Sequence, residues 1–223
     1  MKWLYAQAAL IVLATAAAGC STSTVQPEEY SGFMGDYSRL TAQTTSGGAK
    51  VMRWMDPQLD LSKYRTLYVQ PSQFYPAPQP TERISRKTLQ DITRYYDAAL
   101  KRELDQSLTL VSAPGPDSLI FKPAITAISA KTEGLKAYEV IPVALVVAAV
   151  STASGARDQE VVIATEAELI DAQSGKVIAQ VVRKGTGQPL ENTSEALTVD
   201  AVKPVLDGWA KDMHRTYLEL KNR

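Results

Sequence analysis

The residues that could do chemistry in this chain are few. Glu166, Glu168 and Asp171 are the best candidate acid cluster, in the run "TEAELIDAQSG". On a strand the two glutamates would project to the same side about 6.6 to 7 Å apart, where paired carboxylates can serve glycoside hydrolysis or bind a divalent ion. Ala164 and Ile170 share that side, and no aromatic sugar platform or further ligand can be placed beside the pair. The sequence therefore favours a solvent-facing strand edge with Asp171 as a turn residue. His214 is the sole histidine and Cys20 the sole cysteine. The familiar nucleophile, zinc and facial-triad arrangements lack most of their parts, and no intramolecular disulfide can form. No enzyme activity, catalytic residue, metal or cofactor is expected. Lys and Arg total 24 against 24 for Asp and Glu, so nothing in the charge balance suits a nucleic-acid partner.

Cys20 sits where chemistry of another kind is expected. Residues 1–20 read "MKWLYAQAALIVLATAAAGC": a positive Lys2, an apolar stretch from Ala8 to Ala18, then small residues before the thiol. The stretch is shorter than the roughly 20 residues a membrane-spanning helix needs and reads as a secretion signal over residues 1–19. "AAGC" resembles the bacterial lipobox, although its first position, Ala17, is more usually Leu. The resemblance implies cleavage before Cys20 and lipidation of its sulfur, which would hold the mature protein to a membrane without spanning it. Ser21 follows the thiol in place of Asp, which by analogy with lipoprotein sorting implies the outer membrane, on its periplasmic side. The polar "STSTVQPEE" then predicts a flexible tether over residues 20–31, ahead of a single periplasmic domain over residues 32–223.

The elements that must position any site follow from periodicity. "GFMGDYSRL" and "MRWMDPQLDLSKYRTLYVQP" hold aromatics at irregular spacing, separated by "TAQTTSGGAK", which reads as flexible. Leu67 to Gln70 is expected to enter the core as a short strand, with Phe33, Trp54 and Tyr64 as packing. After the stiff "YPAPQP", apolar residues from Leu89 to Leu108 recur at spacings of three and four, predicting a helix with Thr81 as its N-cap. "LIFKPAITAISAKTE" predicts a strand that Pro123 should place at an edge or a bulge. Residues 160–184 alternate on both sides of "DAQSG", predicting an antiparallel hairpin with Asp171 opening the turn and Gly175 at positive φ. A second amphipathic helix is expected from about Asp200 to Leu220, with Pro204 in its first turn and His214 at its boundary. The fold class expected is α+β, a mainly antiparallel sheet with two long amphipathic helices packed on one face.

The longest apolar run of the mature chain, Val140 to Val150, is too short to cross a bilayer. It reads either as buried core or as a surface in which Val143, Val146 and Val147 meet a partner or ligand. Together "GFMGDYSRL", "RWMDPQLDLSKYRTLYVQP", "PGPDSLIFKPAIT", "VIPVA" and "EAELIDAQSGKVIA" resemble an uncharacterised family of Gram-negative lipoproteins with a domain of unknown function, number three-three-one-three. The family brings no established activity or catalytic residue. Two functions of different classes remain: a non-enzymatic accessory or structural lipoprotein engaging an envelope protein partner, and a carrier or binder of a small apolar or lipid ligand, with residues 138–155 as pocket wall.

Overall fold

The computed structural model describes residues 24–132, 159–192 and 194–222. Cys20, the expected secretion signal over residues 1–19, Val143, Val146 and Val147 lie outside them. Among the described residues eight strands form one mixed sheet: β1 (Thr41–Thr44), β2 (Lys50–Met55), β3 (Thr66–Val69), β4 (Gln73–Phe74), β5 (Thr109–Leu110), β6 (Ser118–Thr132), β7 (Gln159–Asp171) and β8 (Val177–Thr186). The order is β1-β2-β8-β7-β6-β3-β5, with β4 also on β6. Two long helices complete the α+β fold, α1 (Arg86–Leu104) and α2 (Lys203–Lys221).

Alternation along β7 decides the layering. Val161, Ile163 and Ala167 lie in a core with Ile92, Tyr96 and Leu100 of α1 and Leu206, Trp209 and Ala210 of α2. A second cluster joins Ala124 and Val182 to Val25, Phe33, Met34 and Leu40. Phe33 packs in this cluster as expected, and residues expected only to tether the domain join its packing too: Val25 is 4% exposed, and Glu29 pairs with Lys184 at 2.7 Å. The tether over 20–31 is thus corrected from Thr24 onward. "TAQTTSGGAK" is likewise no flexible spacer, because its ends pair as β1 and β2, with Thr44 opposite Lys50.

The sheet is mostly antiparallel, but β3 runs parallel to both β5 and β6, and β4 parallel to β6. The chain leaves β3 and β4 through α1 and re-enters at β5, and a helical crossover returns it in the same direction. Pro123 is at neither an edge nor a bulge. It pairs with Ala167 inside β6, between the rungs Val69–Phe121 and Gln73–Ala124. Gln70 N donates to Phe121 O and Tyr75 N to Ile125 O, so Pro123 turns its missing donor to the same side, where β3 has ended and β4 has not begun.

Ser85, not Thr81, caps α1, its Oγ accepting from Thr88 N at 3.0 Å. Thr81 Oγ1 instead accepts from Ile84 N in the turn before it. The helix stops at Leu104, and Leu108 is buried beyond its end. Helix α2 has Pro204 in its first turn and approaches β8 closely at Gly185, where a Cβ would stand 2.7 Å from Val205 Cγ1. The β7–β8 turn forms as its sequence predicts: Gly175 has φ +70, and Asp171 Oδ1 accepts from Ser174 N at 2.7 Å.

Candidate functional site

On the helix side of the sheet, strand alternation places Arg53 and Met55 of β2, Ala167 and Leu169 of β7, and Ala179, Val181 and Arg183 of β8 along one wall of an open cavity of about 110 Å³. Met213, Thr216, Tyr217 and Leu220 of α2 form the facing wall. These four recur at three- and four-residue spacing, which puts them on one stripe of the helix. The lining is mostly aliphatic and aromatic, the kind of wall a small hydrocarbon group packs against. Arg53 and Arg183 are its charged lining residues. Arg183 is 5% exposed, and its Nη1 lies 2.8 Å from Asp212 Oδ2. Arg215 is close by: a Cβ on Gly47 would stand 2.8 Å from Asp212 Oδ1 and 3.2 Å from Arg215 Nη1. Arg53 Nε donates to Gln43 Oε1 at 2.9 Å, at the β1 edge.

The paired glutamates lie on the other side of the sheet, and neither faces solvent. Glu166 is fully buried and Glu168 nearly so. Residues 31–37 cover them: Ser31 N donates to Glu166 Oε1 at 2.8 Å and Tyr37 Oη to Oε2 at 2.6 Å. Glu168 accepts from Lys122 Nζ at 3.2 Å and Gln180 Nε2 at 3.3 Å. Burial raises the Glu166 carboxyl above its ordinary value, against the donors Tyr37 and Ser31. Burial, with the bond to Glu166, pushes Tyr37 up to about 12. Both oxygens of Glu166 are thus occupied in holding the N-terminal segment to the sheet. Among the described residues no group of three His, Cys, Asp or Glu is placed to hold a metal ion.

A raised carboxyl binds its proton more tightly folded than unfolded. The stability this contributes is present below the ordinary value near 4.5 and is lost as pH rises through the folded value. Glu166→Gln should therefore flatten the pH dependence of unfolding from about pH 4.5 upward. It should add only a small pH-independent loss, about 1 kcal/mol, because Oε1 of the carboxamide can keep the Ser31 amide bond while its NH₂ donates to the Tyr37 hydroxyl, which then accepts instead of donating. Urea unfolding at a series of pH values checks both, and an unchanged slope would show that Glu166 has its ordinary affinity for the proton.

Asp171 is the turn residue expected, and it also accepts from Tyr64 Oη at 2.7 Å. Bonds from Ser174, the backbone amide foremost, and from Tyr64 hold its carboxyl below the usual range. His214 is half-buried, its Nε2 2.7 Å from Ser107 Oγ, where it joins the end of α1 to α2. Neither lines the cavity. Arg53 and Arg183 escape a motif search, yet one signal for Arg183 is present: it continues the inward alternation of Ala179 and Val181, where an apolar residue is the norm.

An α+β domain with an apolar cavity between helix and sheet, guanidinium groups on its wall, is the class of protein this geometry defines. Residues 29–213 match the family described as "Protein of unknown function (DUF3313)". Over 208 residues, 93% of this chain and 94% of the relative, the sequence is 40% identical to the uncharacterized lipoprotein YdcL of Escherichia coli strain K12, with the same figures for strain O157:H7. The chain belongs to this family of uncharacterised lipoproteins. Among solved structures, protein XCC0632 of Xanthomonas campestris is similar at 13% identity and a TM-score of 0.42, covering 82% of this chain and 95% of that one. The PelC dodecamer of Paraburkholderia phytofirmans is similar at 13% identity and a TM-score of 0.35, covering 71% of this chain and 96% of that one. Neither brings a functional residue to this chain.

Proposed function

We propose that this protein is a lipid-anchored, non-enzymatic lipoprotein on the periplasmic side of the outer membrane, and that it binds a small apolar group between α2 and the sheet. The anchor reading is supported by "AAGC" ahead of Ser21 and by the lipoprotein to which the chain is 40% identical. The cavity carries the binding reading, because a preformed apolar hollow with few polar groups is what a small hydrophobic ligand needs. The described residues of its wall include those of β2, β7, β8 and α2; the 138–155 region expected as pocket wall lies outside the described residues. An envelope protein partner has less support: among the described residues the exposed large hydrophobics are Tyr75 and Leu218, at 38% each, and a stable apolar contact needs a contiguous patch.

The test combines two measurements. Mass spectrometry of the mature N-terminus should find a lipidated Cys20, and an unmodified thiol there would remove the anchor. Octanol titrated into the full chain in phospholipid nanodiscs, with empty nanodiscs subtracted, should bind saturably. Ala179→Phe fills the cavity, so it should abolish that binding while leaving the melting temperature unchanged or higher. Undiminished binding in this variant would place the ligand elsewhere.

A further inference from the structure

Val25 follows Cys20 by only five positions, and it is already fixed in the fold, 4% exposed in the cluster with Phe33, Met34 and Leu40. A fully extended chain covers about 3.3 to 3.6 Å per residue, so Val25 stands at most about 17 Å from Cys20. Lipid on Cys20 would hold that residue at the boundary of the hydrocarbon, and roughly 5 to 7 Å of the reach then crosses the headgroup layer. A flexible chain of this length averages only about 12 Å end to end. The segment that carries Val25 covers one side of the sheet: Ser31 N and Tyr37 Oη donate to Glu166, Glu29 pairs with Lys184 at 2.7 Å, and Phe33 and Leu40 pack with Ala124 and Val182. Helices α1 and α2 pack on the other side, with Val161, Ile163 and Ala167. Packed layers stand about 10 Å apart and a helix with its side chains is about 10 to 12 Å across, which puts the outer surface of the helices about 15 Å beyond the sheet.

We propose that the cover formed by residues 25–40 is the membrane-facing surface of the domain, docked on the phospholipid headgroups of the bilayer that holds the anchor, with α1 and α2 turned to the periplasm. Laying the helices on the bilayer instead would lift Val25 more than about 15 Å above the headgroups, beyond the roughly 11 Å that the tether leaves. The cover meets lipid with polar groups, since Gln26, Glu28, Asp36 and Ser38 are exposed while Val25, Phe33 and Met34 are buried. It therefore rests on the headgroups without entering the acyl layer. The cavity between α2 and the sheet then lies on the side of the sheet away from the lipid. The assignment rests on the lipid-anchor reading above and deepens it by naming the face that the membrane meets.

The experiment places the full chain, as produced with its anchor, in phosphatidylcholine vesicles doped with a headgroup-nitroxide phosphatidylcholine, which quenches a fluorophore only at short range. Cys20 is the sole native cysteine, so once it carries lipid a single introduced thiol takes the label. The sites are Ser38→Cys on the cover, Lys101→Cys on α1 and Lys211→Cys on α2, all exposed positions. Quenching of the Ser38→Cys label should exceed that of the two helix labels several-fold, with the melting temperature unchanged in each variant. A Gly/Ser insert of about 20 residues between Ser23 and Thr24 raises the average reach of the tether to about 27 Å and should bring the three labels to similar quenching. Equal quenching without the insert, or stronger quenching on either helix, would overturn the docking face and leave the anchor standing. Protein that fails to float with the vesicles would overturn the anchor and the docking face together. A preference for the Ser38→Cys label that survives the insert would overturn the short tether as its cause.

Discussion

Asp212→Ala is expected to cost about 3 to 5 kcal/mol and to lower the melting temperature by roughly 10 °C or more. Asp212 and Arg183 are 5% exposed each and 2.8 Å apart, one on α2 and the other on β8. Removing the carboxylate leaves a guanidinium that cannot lose its proton, in a site walled by Ala179, Val181 and Met213. Its remaining bond is long, 3.5 Å from Nη1 to the Trp209 carbonyl. Replacing both partners by apolar residues, Arg183→Met with Asp212→Leu, should recover most of the loss, since the desolvation of two charges disappears with the pair. Urea unfolding of the three variants measures this. A single-variant loss below about 1 kcal/mol, the range of exposed ion pairs, would show that water or Arg215 relieves the buried charge.

Leu206→Ala should cost about 3 kcal/mol, within the 2 to 5 kcal/mol range of buried Leu to Ala changes. Leu206 is fully buried on the first half of α2, in the core that also holds Ile163, Ile92 and Leu100. The strand beneath this part of the helix has little freedom to close a void, because α2 already approaches Gly185 as nearly as its side chains allow. The lost methyl groups therefore leave a cavity as well as a lost transfer energy. Thermal or urea unfolding checks it. A cost under 1 kcal/mol would mean that α2 settles onto the sheet, and Trp209 fluorescence should then shift.

The sequence by itself determined the elements whose information is local. Alternation over residues 160–184, with Asp171 and Gly175 between, specified β7, its turn and β8, because a period of two and a turn residue of positive φ leave few other conformations. Three- and four-residue spacing specified most of α1 and α2. It misplaced the N-cap of α1 by four positions, since Thr81 and Ser85 both offer a hydroxyl and only the path of the chain decides which one meets a free amide. The polar "TAQTTSGGAK" held no apolar alternation, so the β1–β2 hairpin was invisible. Its pairing is with β8, more than a hundred residues away.

Only the tertiary structure decided which surfaces are covered. Period two puts Glu166 and Glu168 on one side of a strand and cannot say what lies over that side. The cover comes from Ser31 and Tyr37, 135 and 129 residues distant, the first at the end of the expected tether and the second in a stretch whose aromatics have no regular spacing. Pro123 sits inside the sheet because the break between β3 and β4 happens to face its missing amide, a coincidence of three segments that no single one records. The cavity has the same origin. Its walls come from strands β2, β7 and β8 and a helix near the C-terminus, each with ordinary apolar residues facing inward. The space between them is set by how far α2 stands off the sheet, which is a property of packing across the chain and is written in no local pattern.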